Sequence, residues 1–346
     1  MYLCYHHDDM DGKTSGFHVY QHLEQIKAHP KASDFIMRGY DEPFSEKDYS
    51  GKDVFIVDLS FTKKSISALF DICEGAHSVV WIDHHKSSVE AIEDDDIKEK
   101  LDKYDNLEYF VDSRVSATIL TYLYFKFFDK FGVSPAKELA SSDMDMEIHW
   151  CNAEFTKLTA TIGDYDITLD TLPMYLQYVD RYDRWVYGDD DRPLLFSYGC
   201  MTHNTNLFAY PDKNSRDLEF NSNFWNRIHM YTFTGDIIED GRTAKKYADV
   251  TNKMNRDESA YEREILGYKA IILNTFGNSM VFGEKAPKDY DVLIIYNYNG
   301  KTKLFNYSFY SSNPEVDCSK IAAHFDPKGG GHKGAAGCSS KEFLFK

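Results

Sequence analysis

Acidic and imidazole side chains follow three apolar runs near the beginning of the chain, each at the point where the run ends. Ligands of open parallel sheets bind at the carboxyl ends of strands, so we expect three such ends to meet at one crevice. The sequence therefore predicts a single binding site built from the residues that end these runs: His7-Asp8-Asp9-Met10-Asp11-Gly12, then Asp58, then Asp83-His84-His85.

This mixture of imidazole nitrogens and carboxylate oxygens is typical of a site for Mn²⁺ rather than Ca²⁺. It contains too many carboxylates for a closed structural zinc site. In extended backbone His7, Asp9 and Asp11 would point to one side, because they are two residues apart. So many acids repel one another without cations, and two divalent ions that share one bridging carboxylate would satisfy them.

Composition excludes several classes of protein. The chain has 346 residues, 42% of them hydrophobic, and a formal net charge of −17 with no basic stripe. These numbers fit a two-domain globular protein and argue against a protein that grips long nucleic acid. The beginning of the chain does not have the pattern of a signal peptide, and the apolar runs are too short to span a membrane. Six cysteines without a CxxC pair suggest reduced thiols, so we expect a cytoplasmic protein.

The first half of the chain alternates strand and helix patterns, which predicts βαβ units and a parallel sheet. Strands are expected at 2–5, 53–60 and 77–85, and helices at 15–28, 65–76 and 115–131. A Gly-Lys-Thr-Ser turn would precede the first helix.

The second half is less regular. Residues 132–157 suggest an insertion or a helix–helix connection, a helix is expected at 171–187, and 188–225 carry no clear pattern. A long polar helix over 235–265 would connect two domains. Beyond it we expect a strand at 268–275, a hairpin over 291–312 around Asn299-Gly300, and a helix in CSKIAAHF.

Four motifs in this order resemble the DHH phosphoesterase family with a DHHA1 substrate domain: HDDMDG (7–12), VDLS (57–60), DHH (83–85) and GGGHKGAAG (329–337). The resemblance spans essentially the whole chain. It implies an α/β protein in which a parallel-sheet DHH domain is joined by a long helix to a smaller α/β DHHA1 domain, with the active site between the domains. The implied ranges are 1–225 with an insertion at 132–157, a linker at 226–266, and 267–346.

The resemblance also implies two Mn²⁺ ions, for which Mg²⁺ or Co²⁺ would be substitutes. Asp83 would support the site, and His85 would face the substrate phosphate. Asp58 would bridge the two ions, one held with His7 and Asp9, the other with Asp11, His84 and a later aspartate.

The identity of that later aspartate is left open by the sequence. We prefer Asp183 in VDRYDRW, because an aspartate just before x-Trp resembles the pattern of the oligoribonuclease branch of the family, and we expect Asp180 on the helix surface. Asp164 and Asp166 are weaker alternatives. Three other acidic stretches are expected to be solvated surface: EDDDIKEK (93–100), SSDMDMEIH (141–149) and GDDDR (188–192).

The C-terminal motif would bind the substrate phosphate through backbone N–H groups of consecutive glycines. Tyr310 stands where many relatives have an arginine that grips a terminal phosphate; this is more similar to NrnB-type than to NrnA-type oligoribonucleases. Tyr310 either stacks on a base or packs within a strand. The expected substrate-binding residues are Gly330, Gly331, His332, Lys333, Ser308 and Tyr310, with Ser311 beside them.

The resemblance implies a phosphodiesterase that hydrolyses short oligonucleotides (nano-RNA, dinucleotides) to nucleoside monophosphates with water activated by two Mn²⁺ ions. Three alternatives remain: a cyclic-dinucleotide or pApA phosphodiesterase, an adenosine 3′,5′-bisphosphate phosphatase, and a nucleotide-binding module without activity. The expected partner is a short oligonucleotide or small nucleotide, with no long nucleic acid and no membrane. The oligomeric state is open, a homodimer included.

Overall fold

The computed structural model describes residues 1–39, 44, 48–136, 144–151, 155–169, 172–211, 215–230, 233–283, 286–327, 329–331 and 333–345. Side chains are not described for 144–151, 155–157 and 287. The chain forms two compact units, Met1–Arg242 and Thr243–Lys346. The expected division into ranges 1–225, 226–266 and 267–346 stays a prediction.

The first unit is built on a five-stranded sheet in which each neighbouring pair is parallel, as the βαβ pattern predicts. The strand order is β2-β1-β3-β4-β5. The order therefore reverses between β1 and β3, and such a switch point opens a crevice at the carboxyl ends of the two strands. The strands are β1 Tyr2–His7, β2 Phe35–Arg38, β3 Asp53–Val57, β4 Ser78–Asp83 and β5 Leu107–Val111.

Helices cover both faces of this sheet. Successive strand residues face opposite sides, so Phe55 and Val57 join one buried cluster and Val54 and Ile56 the other. The first cluster includes α1, α5 and α6, and the second includes α2, α3 and α4. The helices of this unit are α1 Met10–Gln25, α2 Ser67–Gly75, α3 Lys86–Ile92, α4 Asp95–Leu101, α5 Ala117–Phe131, α6 Met174–Asp183, α7 Arg192–Cys200 and α8 Ser222–His229.

The start of α1 corrects the expected turn. The helix begins at Met10 rather than at residue 15, because Asp9 caps it: its carboxylate accepts a hydrogen bond from the Gly12 N–H at 2.9 Å. The Gly-Lys-Thr-Ser segment therefore lies in the first turns of the helix. Metal-binding candidates and helix cap thus share one short stretch of sequence.

The expected insertion at 132–157 contains part of a separate antiparallel sheet: β6 Met144–Cys151, β7 Phe155–Ile162 and β8 Tyr165–Leu169. The sheet extends to residue 169, so 132–157 is not a helix–helix connection. The region 188–225 holds α7, a short strand pair and the start of α8. That pair is β9 Phe208–Ala209 and β10 Glu219–Phe220.

The second unit contains a six-stranded mixed sheet with the order β11-β12-β13-β14-β16-β15. The long helix α9, Thr234–Ser259, is shorter than predicted, because 261–265 form a strand. The predicted hairpin is confirmed, with a loop over 300–303. The strands are β11 Tyr261–Ile265, β12 Tyr268–Asn274, β13 Val292–Asn299, β14 Leu304–Tyr310, β15 Gly330–Gly331 and β16 Ala335–Ser340; the helices are α10 Ala286–Asp289 and α11 Cys318–Phe325.

Two further expectations concern the chain as a whole. In the part of the chain that the structure describes, no helix combines the length and apolarity needed to cross a bilayer. The cysteines whose side chains are described are buried and form no disulfide: Cys4, Cys73, Cys200, Cys318 and Cys338.

Candidate metal centre

The candidate site lies at the carboxyl ends of three adjacent strands. His7 ends β1, Asp58 directly follows β3, and His84 directly follows β4. Strands β1 and β3 are the pair between which the strand order reverses, so the site occupies the switch point of the sheet. Asp58 has a left-handed backbone, with φ of 56°, which aspartate tolerates better than most residues.

His7, Asp9 and Asp58 form the first group of ligand atoms. The His7 Nδ1 lies 2.7 Å from an Asp9 oxygen and 3.9 Å from the Asp58 Oδ2. The three ligand atoms lie within 4.8 Å of one another. Asp11 does not join them through an extended backbone, as the two-residue spacing predicted, because it lies in the first turn of α1.

Asp11 instead belongs to a second group with His84 and Asp183, whose ligand atoms also lie within 4.8 Å of one another. The His84 Nε2 lies 3.5 Å from Asp11 Oδ2, 3.4 Å from Asp183 Oδ2 and 3.4 Å from Asp58 Oδ1. Asp58 therefore turns one oxygen toward His7 and the other toward His84. This is the arrangement that a bridging carboxylate requires.

The first turn of α5 holds the Asp11 carboxylate in place. The backbone N–H groups of Ala117 and Thr118 donate hydrogen bonds of 2.9 and 2.8 Å to its two oxygens. These amides have no partner within their own helix, and the helix dipole also favours an anion there. A carboxylate fixed by the backbone at both oxygens has little freedom to reorient.

Two candidate aspartates on α6 have different roles. Asp183 reaches the cluster, whereas Asp180 is fully buried outside it. The expectation of a surface position for Asp180 was wrong: its carboxylate binds Arg184 at 2.6 and 2.9 Å and accepts the Ser116 N–H at 2.8 Å. The Arg184 side chain also donates to the Arg114 carbonyl at 2.8 Å. Sequence reasoning missed this buried ion pair, although its i, i+4 spacing is a usable signal.

The electrostatics of the cluster call for cations. Burial, and then the charges of neighbouring acids, hold the pKa values of Asp11 and Asp58 well above their usual range. Burial and the charge of Asp9 raise the pKa of Asp183 to about 7. The Asp58 Oδ2 is buried and accepts no hydrogen bond from any described residue. An orphaned carboxylate oxygen among crowded acids and imidazoles is the donor set that divalent ions such as Mn²⁺ satisfy.

The two histidines of the DHH motif differ in charge. Burial, and then the charge of His85, lower the pKa of His84 to about 4, so its ring is neutral and keeps a lone pair. Burial opposes charge on His85 as well, but the Asp83 carboxylate raises the pKa of His85 to about 9. The His85 Nδ1 lies 2.7 Å from the fully buried Asp83. His85 also lies within reach of Asp58 and His84, but a protonated ring is a poor metal ligand and a good partner for phosphate oxygens.

The substrate-binding candidates belong to the second unit. Ser308 and Tyr310 share one face of β14, opposite the buried Tyr307 and Phe309. Tyr310 packs beside a small buried cluster, in accordance with the second of its two expected roles. Of the glycine-rich motif, Gly330 and Gly331 form the exposed strand β15, and Lys333 is exposed. Gly330 pairs with Gly337, which pairs in turn with Ser308. His332 lies outside the described residues.

The remaining acidic candidates lie outside the cluster. Asp164 and Asp166 are exposed near the β7–β8 turn, and Asp166 accepts a hydrogen bond from Thr161. In 93–100, Asp94 caps α4. In 188–192, Asp190 is not merely solvated, because it binds Arg181 and Arg192 at 2.6 and 2.8 Å. The side chains of 141–149 are outside the description.

No protein-family model and no curated protein matches the chain. Among solved structures, a pGpG-specific phosphodiesterase, PggH, from Vibrio cholerae is 12% identical, with a TM-score of 0.45 over 98% of this chain and 93% of that one. An exopolyphosphatase-related protein from Bacteroides fragilis is 12% identical, with a TM-score of 0.46 over 99% and 87%. CDC45 from Entamoeba histolytica is 10% identical, with a TM-score of 0.41 over 99% and 93%. At these values the function must be argued from the residues of this chain.

Proposed function

We propose that this chain is a divalent-metal-dependent phosphodiesterase that hydrolyses short oligonucleotides to nucleoside monophosphates, with two Mn²⁺ ions as its cofactor. One observation carries the proposal: Asp58 directs its two oxygens toward two separate ligand groups in a cluster that burial has made electrostatically unfavourable. Two ions sharing one carboxylate are typical of phosphoryl-transfer sites.

Each residue has a defined task in this proposal. His7, Asp9 and Asp58 would hold one ion, and Asp11, His84, Asp183 and Asp58 the other. When bound, the two metal ions would act as a Lewis acid and lower the pKa of the water molecule that attacks the phosphorus. His85, kept protonated by Asp83, would donate a hydrogen bond to a phosphoryl oxygen and offset the charge that develops there.

The proposal favours a small substrate. A net charge of −17 repels a long polyanion, whereas a dinucleotide needs only local neutralisation at the metal centre. In the second unit, Ser308 and the backbone N–H groups near Gly330 and Gly331 would contact the substrate, together with His332 and Lys333. Cyclic dinucleotides, pApA and adenosine 3′,5′-bisphosphate remain the alternative substrates of the same centre, and a nucleotide-binding module is the alternative without catalysis.

A product assay with Mn²⁺ tests the proposal. A 5′-labelled RNA pentamer, pApA, cyclic di-adenylate and adenosine 3′,5′-bisphosphate are offered in parallel to the full chain. We expect a ladder from the pentamer that descends to mononucleotide, and no turnover after chelation with EDTA. Asp58→Asn should abolish turnover while the far-UV circular dichroism spectrum is unchanged. Asp164→Asn, an exposed acid outside the cluster, is the matched control and should keep full activity.

Other outcomes would change the assignment. Turnover of pApA or of the cyclic compound without the pentamer would assign the centre to second-messenger degradation. Release of phosphate from the bisphosphate alone would make the protein a phosphatase. If no substrate reacts and Asp58→Asn is indistinguishable from the wild type in nucleotide binding, the hydrolase proposal is wrong.

A further inference from the structure

The C-terminus of α6 has a tryptophan where the backbone geometry favours glycine. The Val186 N–H donates to the Arg181 carbonyl at 2.9 Å, and the Trp185 N–H donates to the Tyr182 carbonyl at 3.1 Å. This pair of bonds is the Schellman motif, whose left-handed position is usually glycine. Trp185 occupies that position with φ of 57°, a conformation in which the Cβ of every residue other than glycine is crowded.

Burial in the hydrophobic core does not explain why a tryptophan is there. Trp185 is 52% exposed, whereas Trp81 and Trp225 are fully buried. A half-exposed ring contributes little to the hydrophobic core. The left-handed backbone of Trp185 is also less favourable for tryptophan than it would be for glycine. Bulky residues kept in a strained conformation occur preferentially at functional sites.

The surroundings of Trp185 form an aromatic surface. Its ring centroid lies 5.7 Å from that of Tyr182 and 6.2 Å from that of Tyr187, with interplanar angles of 30° and 35°. The three rings, here called the aromatic triad, follow one another within six residues. Tyr182 and Tyr187 are half-buried and Trp185 is exposed, so the Trp185 ring offers a face on which a flat heterocycle can stack.

The aromatic triad is attached to the candidate metal centre by a short, fixed segment. Asp183, two residues before Trp185, lies 3.4 Å from the His84 Nε2. The residue between them, Arg184, is anchored by its ion pair with Asp180 and its bond to the Arg114 carbonyl. A side chain held here is tied to the position of a metal ligand rather than to a mobile loop.

We propose that Trp185 is a stacking platform for a nucleobase of the substrate whose phosphoester lies at the metal centre. The inference rests on the proposed function and names the part of the substrate that is recognised outside the metal centre. Stacking accepts every base, so Trp185 selects nucleotides over phosphoesters without a base and does not select a sequence.

The test compares a ligand with a base and one without. The full chain is saturated with Mn²⁺ and titrated calorimetrically with AMP and with ribose 5-phosphate. In the wild type AMP should bind about 10-fold more tightly than ribose 5-phosphate, in the range that base–aromatic stacking supplies. Trp185→Gly should remove this preference, whereas Trp185→Phe should keep most of it. The KM for pApA should rise about 10-fold in Trp185→Gly with kcat little changed.

Stability separates a binding role from a structural one. Because glycine suits the left-handed position, Trp185→Gly should unfold at the same temperature as the wild type or at a higher one. Phe276→Ala, which removes an exposed aromatic ring of the second unit, should change neither the preference for AMP over ribose 5-phosphate nor the unfolding temperature.

A retained preference for AMP in Trp185→Gly would overturn the inference, and pApA turnover in the same variant would leave the proposed hydrolase intact. A lower unfolding temperature together with a retained preference would assign Trp185 to structure and also overturn it. If the wild type hydrolyses no nucleotide but prefers AMP, and Trp185→Gly loses that preference, the stacking role stands and the hydrolase proposal fails.

Discussion

Asp58 and its neighbours show how charge and burial conflict at the scale of single residues. Three acids of the cluster, Asp11, Asp58 and Asp183, have raised pKa values because burial and mutual repulsion disfavour their ionised forms. Two remedies are available to such a cluster, protons or metal ions. The metal-free protein must take up protons as it folds, and divalent ions would displace them.

Stability without metal should therefore depend on pH through Asp183. Folding raises its pKa from near 4 to about 7, so this contribution is complete below the unfolded value and is lost as pH rises through 7. With EDTA, Asp183→Asn should be closest to the wild type at or below pH 4 and should unfold a few degrees higher at pH 8.5. Thermal unfolding across this range measures the difference.

Excess Mn²⁺ at pH 8.5 should reverse that order, because the amide is a weaker ligand than the carboxylate it replaces. An Asp183→Asn protein that tracks the wild type at every pH, with and without metal, would contradict the role given to Asp183 in the cluster.

His85 should act on the substrate rather than on the metal. Asp83 keeps His85 protonated. We therefore expect His85→Gln to lower kcat about 100-fold or more, since the substitution removes a charged hydrogen-bond donor from the phosphoryl oxygens on which negative charge develops. The Mn²⁺ content, measured by inductively coupled plasma mass spectrometry after dialysis, should stay at two ions. Loss of one ion would instead make His85 a ligand, which its distance to Asp58 and His84 also permits.

At the scale of elements, the site depends on how β1 turns into α1. Asp9 ends the turn as the helix cap, and Gly12 brings the helix against the strand. A Cβ on Gly12 would lie 2.5 Å from the His7 carbonyl oxygen, a separation that forces the backbone to move. The same contact that starts the helix therefore positions two metal-binding candidates, His7 and Asp9.

Gly12→Ala should consequently lower both stability and metal affinity. Crowding of this kind costs about 1–3 kcal/mol, which thermal unfolding in EDTA would detect, and Mn²⁺ titration should show weaker binding. Gly235→Ala in α9 is the matched control, because a Cβ there meets nothing within 4 Å. In an open helical position the same change is neutral or stabilises by up to about 1 kcal/mol. Equal effects of the two substitutions would disprove the positional argument.

At the scale of the whole molecule, we expect Mn²⁺ to affect the first unit and a nucleotide added afterwards to affect the second unit. The candidate metal-binding residues all belong to Met1–Arg242, as do His85 and Trp185, and the other residues expected to contact the substrate belong to Thr243–Lys346. Mn²⁺ at 100 times its dissociation constant stabilises the form that binds it by about 2.7 kcal/mol. Hydrogen exchange by mass spectrometry should therefore show slower exchange in the first unit alone when Mn²⁺ is added.

Addition of AMP to the Mn²⁺-loaded protein should then slow exchange in the segments 304–310 and 329–333 of the second unit. Protection that stays confined to the first unit would exclude the second unit from substrate binding. Protection by AMP without Mn²⁺ would show that the second unit binds nucleotide independently of the metal centre.

Local pattern in the sequence was enough to predict the parallel sheet, the hairpin around Asn299-Gly300 and the convergence of three strand ends. Strand alternation and the chemistry of polar residues at strand ends depend on neighbours in sequence, so they can be read without coordinates. The structure places β1, β3 and β4 side by side, and because these strands are parallel their carboxyl ends bring His7, Asp58 and His84 to one edge.

Only the tertiary structure decided which aspartate of α6 enters the site and how Asp11 reaches it. Asp180 and Asp183 have the same chemistry and lie one helical turn apart, and the choice depends on Ser116 and on the cluster, both distant in sequence. The glycine-like position of Trp185 is equally invisible to composition, because it is defined by φ and by two backbone hydrogen bonds. Charge, burial and backbone conformation at these positions are set by contacts that the fold creates, and those contacts determine what each residue does.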